Sequence, residues 1–278
     1  MPTVHDLIVE LRRLANQLAG DTAGLGIMQD AVDRCDDGES PPAVDAAMQD
    51  LLAGCERLQV AARTLKRARN ASVARQLERL APPSTGLRLN LTGTRVPGWL
   101  SVGFPPAELV LDLRWGLPFA DAAADRVYSA LALEHLVYPD DARRVVRDVR
   151  RVLRPGGVAR VIVPDLEVYL RAYVRGDRAF FRAHERWFAW ARHTRTPLDV
   201  INAMVGAGLA RGPADHDGHR TGYDLATLTT LLRDAGFSSI ERRGYQDSPY
   251  PELRIDHTSA DAGLTYEGES LNLFVEAS

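Results

Sequence analysis

A set of residues able to bind or react stands at or just past the ends of short apolar runs: Thr92, Gly93, Thr94, Gly103, Asp112, Ser129, His135 and Asp165. A glycine in such a place lets the backbone approach a ligand closely and take positive φ, whereas a β-branched threonine is penalised on both counts. A carboxylate such as Asp112 or Asp165 accepts hydrogen bonds from hydroxyl or amino groups. An imidazole such as His135 can act as a general base near neutral pH or polarise an acceptor. Each has a plainer alternative. Asp112 also reads as a turn aspartate capping Arg114–Trp115, Asp165 as the cap of a following helix, and His135 as a capping or packing residue. A further cluster, Asp215-His216-Asp217-Gly218-His219, has metal-binding residue types. Its loop setting and the lack of a further ligand elsewhere in the sequence leave no metal site expected.

The apolar runs that must position these residues are Leu87–Leu91, Leu100–Phe104, Leu109–Leu113 and Arg126–Ala130, with Val158–Val163 after a helical pattern over Asp140–Leu153. Short apolar runs that alternate with helical patterns and are broken by Gly and Pro predict a parallel α/β sheet. Ligands of such sheets bind beyond the carboxyl ends of the strands, where the residues above are found. The link Thr92–Trp99 is too short for a crossover helix, which needs about a dozen residues. In Asp140–Leu153, Val145, Val146, Val149, Val152 and Leu153 share one side and five arginines occupy the others, so that face is read as solvated. Pro155-Gly156-Gly157 is read as a turn feeding the fifth run. Leu225, Leu228, Leu231, Leu232 and Ala235 form the buried stripe of a helix closed by Gly236, and Ile240–Gly244 and Leu271–Glu276 are read as the last strands. Between those strands Tyr250–Gly268 is a long loop that holds His257.

The order Leu-Asn-Leu…Pro-Gly-Trp, Leu-Asp-Leu-Arg, Leu-Pro-Phe, Leu-Glu-His-Leu, Leu-Arg-Pro-Gly-Gly and Val-Pro-Asp-Leu resembles class I S-adenosylmethionine-dependent methyltransferases. More narrowly, it resembles a branch of bacterial small-molecule methyltransferases. The tail fits as well, with Gly218-His219-Arg220, Tyr223-Asp224, Leu231–Phe237 and Pro251-Glu252-Leu253-Arg254. The resemblance implies a three-layer, Rossmann-like sheet with an antiparallel last pair and S-adenosylmethionine as cofactor. It implies cofactor binding by Asn90 and the loop Thr92-Gly93-Thr94, by Gly103, and by Asp112 facing the adenine with Leu113 packed on the ring. Ser129 and Ala130 would meet the methionine part. His135, and after it His219, would take the acceptor's proton, with Glu134, Asp165, Arg220 and Tyr223 around the acceptor. Two positions depart from the family pattern. Its Gly-Cys-Gly loop is Thr92-Gly93-Thr94 here, and Gly103 stands where the family has an acidic residue for the ribose hydroxyls. Loss of that carboxylate removes a charge-assisted contact of roughly 1.5–3 kcal/mol, and Gly103→Asp is expected to restore it.

The reaction implied is methyl transfer to an oxygen or nitrogen of a small molecule of natural-product or sugar type. The alternative, which rests on the two departures, is a methyltransferase fold that transfers no methyl group. Such a protein would act as a binding or assembly subunit, or would use the pocket for another reaction.

Residues 1–83 are read as an α-helical domain and 84–278 as the methyltransferase-like domain with a helical insert at 166–222, the boundary lying at Pro82-Pro83-Ser84. Val4, Leu7, Ile8, Leu11, Leu14 and Leu18 follow helical spacing, and Val44, Met48, Leu51, Cys55, Leu58, Ala62 and Leu65 form a four-three seam. That seam suits a hairpin folded on itself or, as a second choice, a homodimerisation arm. The insert's Tyr169, Tyr173, Phe180, Phe181, Trp187, Phe188 and Trp190 would either cover the site or make a small core. The 34 basic and 37 acidic residues give a net charge of −3, which argues against nucleic acid as a partner. Cys35 and Cys55 are read as buried thiols. With no signal pattern and no apolar run of membrane-spanning length, the protein is expected in the cytoplasm and off the membrane.

Overall fold

The structure is a computed structural model that describes residues 64, 66–80, 86–188, 194–206 and 218–278. The chain divides into two compact units, Met1–Ser72 with Arg211–Asp215, and Val73–Ala210 with His216–Ser278. Of the first unit the described part is helical (64 and 66–72), so the readings of residues 1–63, including both cysteines, lie outside the described residues. The second unit takes up the chain inside that helix, and Val73 is part of its core, with Leu77 and Leu80 packed against it.

The second unit is built on a seven-stranded sheet in the order β3-β2-β1-β4-β5-β9-β6. Its strands are β1 (Leu87–Asn90), β2 (Leu100–Gly103), β3 (Leu109–Val110), β4 (Ala124–Ala130), β5 (Leu153–Pro164), β6 (Ile240–Arg243) and β9 (Asn272–Ala277). A separate hairpin pairs β7 (Thr265–Tyr266) with β8 (Glu269–Ser270). Strands β1 to β5 are parallel, and β9 runs antiparallel to both β5 and β6. The link between β1 and β2 has no helix, as its length requires. Chain order reverses between β1 and β4, which makes the carboxyl ends of those strands the natural ligand crevice.

Two elements differ from the sequence expectation. The run Leu109–Leu113 pairs only at Leu109–Val110, because Asp112 caps a short 3-10 turn, Leu113–Trp115, by accepting from Arg114 N. Strand β5 begins directly at Leu153 instead of after a turn. Ala124 pairs with Leu153 and Arg126 with Val158, so Arg154–Gly157 form a bulge within the strand, with Gly156 at φ +75°.

One face of the sheet carries the main core. There α1 (Asp140–Val152) buries Ala142, Val145, Val146, Val149 and Val152, and α5 (Leu225–Asp234) buries Leu228, Leu231 and Leu232. The arginine sides of α1 are partly paired, Arg143 with Asp234 and Arg151 with Asp148 and Asp121. On the other face Trp99, Tyr128, Ala130, Ile162 and Phe274 pack with Leu253 and Ala262, so the long loop Tyr250–Gly268 supplies part of that layer. The insert forms α2 (Leu166–Val174), α3 (Arg178–Trp187) and α4 (Pro197–Met204). Its aromatics make a small core in which Tyr169, Phe180 and Phe181 are buried; Trp190 lies outside the described residues. Among the described residues no helix is long and apolar enough to cross a membrane.

Candidate functional site

Past the end of β4 the chain turns sharply, with Leu131 at φ +53°, into the 3-10 turn Leu133–His135. A segment about eighty-five residues further along the chain, Gly218–Tyr223, is strapped onto that turn by a series of hydrogen bonds. Arg220 N (2.6 Å) and Thr221 N (3.1 Å) donate to Glu134 O, Thr221 Oγ1 donates to Leu136 O (3.0 Å), and Tyr223 OH donates to Leu133 O (3.4 Å). The strap continues into the sheet domain, where Leu166 N donates to Tyr223 O. At its other end His219 lies beneath the end of α4. Gly206, at φ +79°, passes so close to the His219–Arg220 backbone that a Cβ would come within 2.5 Å of His219 O.

This strap brings His219 to Glu134 and His135. The two imidazoles meet edge to face with centroids 5.1 Å apart, and one ligand-type atom from each of Glu134, His135 and His219 lies within 4.8 Å of the others. The residues of ligand type that the structure brings beside His219 are therefore Glu134 and His135. A carbonyl can only accept, so His135 Nδ1, 3.3 Å from Gly218 O, and His219 Nδ1, 3.3 Å from Met204 O, each carry a proton. Glu134 is 1% exposed, and its Oε2 has no partner among the described residues. Burial pushes its carboxyl up to about 8. Burial, with His135 nearby, lowers the His219 imidazolium to about 4, so this ring is neutral at physiological pH.

The remaining expected residues divide into those held by the fold and those facing the crevice. Asp165 caps α2 by accepting from Glu167 N (3.2 Å) and pairs with Arg242 (3.1 Å), while burial raises its carboxyl. Tyr223 is buried against Tyr138, and Arg220 is exposed. Asp112 is 7% exposed and bound through both oxygens by the Arg114 guanidinium. The loop after β1 is stitched from within: Asn90 Oδ1 accepts from Thr92 N and Thr92 Oγ1, Asn90 Nδ2 donates to Thr94 O, and Thr92 Oγ1 accepts from Thr94 N. The Thr92 side chain thus fixes the loop.

Gly93 and Gly103 serve each other. Gly93, at φ +78°, would put a Cβ 2.8 Å from Phe104 O, and Gly103, at φ +146°, would put one 3.5 Å from Gly93 N. Gly103→Asp therefore does not simply restore a ribose acceptor as expected, because that φ strains any L side chain. Glu108, exposed, accepts from Ser101 N and Oγ and so stands beside the start of β2, not beside its carboxyl end at Gly103.

One observation bears on whether a cofactor fits. On β4, Val127 packs in the main core and Tyr128 and Ala130 on the opposite face, which puts Ser129 on the Val127 side. Its Oγ is buried with no partner among the described residues, at the carboxyl end of a switch-point strand. A buried hydroxyl in this state calls for a polar ligand group, so the strand-end crevice fits a cofactor with polar atoms along β4.

A parallel 3-2-1-4-5 sheet with an antiparallel last strand inserted beside β5 defines a Rossmann-like methyltransferase fold. Residues 104–161 match the family described as a methyltransferase domain. The chain is 44% identical over 153 residues, 55% of its length, to the O-methyltransferase resE of Aspergillus sclerotiorum. It is 42% identical over 126 residues, 44% of its length, to the O-methyltransferase rstn1 of Aspergillus nomiae NRRL. These matches span 43% and 44% of the two relatives, so the chain covers less than half of each. A solved Thermotoga maritima protein described as a possible histamine N-methyltransferase is similar at 15% identity and a TM-score of 0.37, over 73% of this chain and 86% of that one. The sheet domain thus has the fold of the class I S-adenosylmethionine-dependent methyltransferases, whose cofactor is S-adenosylmethionine, and residues 104–161 carry the methyltransferase-domain match.

Proposed function

We propose that the chain transfers the methyl group of S-adenosylmethionine to a hydroxyl oxygen of a small molecule. The observation that carries this reading is the group formed by buried Glu134 and the two imidazoles just past the carboxyl end of β4, the strand that also carries the orphaned Ser129 hydroxyl. The choice of oxygen over nitrogen draws on the two relatives named O-methyltransferases. The bound cofactor supplies an already electrophilic methyl group, so the protein has to align an acceptor and remove its proton.

Ser129 and Ala130 would hold the methionine part, and the Asn90-stitched loop Thr92-Gly93-Thr94 would border it. Asp112 and Leu113 would border the adenine. Gly103, closed against Gly93, has no side chain for the ribose hydroxyls, which would meet the backbone of this loop. His135, half-buried at the crevice, would take the acceptor's proton through Nε2, since its Nδ1 proton is directed at Gly218 O. His219, neutral and fixed by Met204 O, would orient the acceptor or receive the proton second. Tyr223 would hold the strap under this pair, and Arg220, at the rim, would meet an anionic group of the acceptor.

The test is transfer of labelled methyl from S-adenosylmethionine to a panel of phenols and sugar hydroxyls. His135→Ala should lower kcat by about 10²–10⁴-fold, the usual range for a general base. Labelling with unchanged kcat in that variant would remove His135 from the reaction. Absence of any labelled product across the panel, together with tight cofactor binding, would favour the binding-subunit alternative.

A further inference from the structure

We propose that Glu134, His135 and His219 form a binding site for one divalent transition ion of the zinc type. The proposal goes beyond the methyl-transfer reading, because it concerns the binding chemistry of these three side chains and holds whether or not the fold transfers a methyl group.

The donor set is two imidazoles and one carboxylate, the combination that three-ligand catalytic zinc sites and related iron and manganese sites use. One potential ligand atom from each residue lies within 4.8 Å of the other two. A point equidistant from three atoms at that largest spacing lies about 2.8 Å from each, so closure to a bond of about 2.0–2.1 Å needs about 0.7 Å per ligand. Rotamer adjustments supply movements of that size.

The surroundings also match what a metal site requires. Each imidazole directs its Nδ1 proton at a backbone carbonyl, His135 at Gly218 O and His219 at Met204 O. Those hydrogen bonds fix the tautomer that carries the lone pair on Nε2, as outer-shell carbonyls do for metal-bound histidines. Glu134 Oε2 is fully buried without a partner among the described residues, and a buried carboxylate oxygen is stabilised by a cation. The peptide scaffold of the cluster is fixed independently of the side chains. The Glu134 carbonyl is bound by Arg220 N and Thr221 N, and the backbone of Gly206 presses on that of His219. With three protein ligands, one or two coordination positions remain for an acceptor hydroxyl. Bound there, the hydroxyl would give its proton to solvent at a lower pH, and the resulting oxygen would be the nucleophile. His135 would then act as a ligand and not as the base.

The experiment is titration of the chelator-treated full chain with Co²⁺ as the probe, followed by its visible d–d absorption and by competition with Zn²⁺. The expected result is one Co²⁺ per chain, displaced by Zn²⁺. Glu134→Gln and His219→Asn should each weaken binding by about a hundredfold while circular dichroism stays that of the wild type. His135→Ala, at a half-buried position, provides a third variant in case either of the others fails to fold. No Co²⁺ uptake at sub-millimolar concentration, or equal uptake by the wild type and all folded variants, would overturn the site. Methyl transfer separates this result from the functional reading. Stoichiometric Co²⁺ binding without transfer keeps the site and removes the reaction. Full transfer by chelator-treated protein that takes up no Co²⁺ removes the site and keeps His135 as the base.

Discussion

Arg160 lies in the middle of β5 with its side chain wholly buried, and the fold is expected to depend on it. A guanidinium has five N–H groups, and each finds an acceptor here. Nε and Nη2 donate to the two oxygens of Asp256 at 2.8 and 2.7 Å, Nη1 to Glu276 Oε1 at 3.0 Å and to Asp247 O at 2.9 Å, and Nη2 also to Gly244 O at 2.8 Å. The network ties β5 to its neighbour β9 through the Arg160–Glu276 register pair and fastens the loop after β6 to the sheet. Arg160→Met keeps the length of the side chain but leaves Asp256 and Glu276 charged and buried. Removal of one partner of such a pair costs about 3–5 kcal/mol. In a domain of this size that corresponds to a fall in Tm of about 10 °C. Urea unfolding followed by tryptophan fluorescence measures it. The triple variant Arg160→Met, Asp256→Asn, Glu276→Gln, which removes the charges together, should recover much of the loss. A single variant within about 1 kcal/mol of the wild type would refute the reasoning, since the network would then be solvated or unformed.

Three other perturbations follow from local geometry. Gly93→Ala places a Cβ against Phe104 O at positive φ and should cost about 1–3 kcal/mol while weakening cofactor binding, read by thermal melting and calorimetry. His184 is buried among Tyr169, Phe180 and Trp187, and burial lowers its pKa from 6.5 to about 4. Between those values the unfolded chain binds the proton first, so stability falls as pH drops below 6.5, by about 3 kcal/mol at pH 4. Urea midpoints at both pH values should show a flatter slope for His184→Phe than for the wild type. Asp224 caps α5 through Thr227 N at 2.7 Å, a bond that holds its carboxyl below the usual range, and Asp224→Ala should cost about 1 kcal/mol in the same assay at pH 7.

The sheet was legible because its parallel strands are buried on both faces and therefore read as apolar runs. The valine stripe of α1 and the leucine stripe of α5 were legible by spacing. Where a reading missed, a polar residue or a backbone irregularity intervened. Asp112 ended β3 early by capping a turn, and the bulge at Arg154–Gly157 let β5 start at the helix end. Arg160 sat unnoticed within an apolar run because the identity of its partners depends on a loop nearly a hundred residues away. In the candidate site, Glu134 and His135 could be singled out from their place after β4. Their meeting with His219 could not, because the strap that brings it rests largely on main-chain hydrogen bonds, which any residue can make. The packing of Gly93 on Gly103 was hidden for the same reason: two glycines mark close approach, but not what approaches.

The most direct test of the account is a crystal structure of the chain soaked with S-adenosylhomocysteine. The account predicts the ligand across the carboxyl ends of β1 and β4, with its amino-acid end at Ser129 and its sulfur directed toward His135. Clear density at another place, or a well-ordered crevice empty at millimolar ligand, would contradict it.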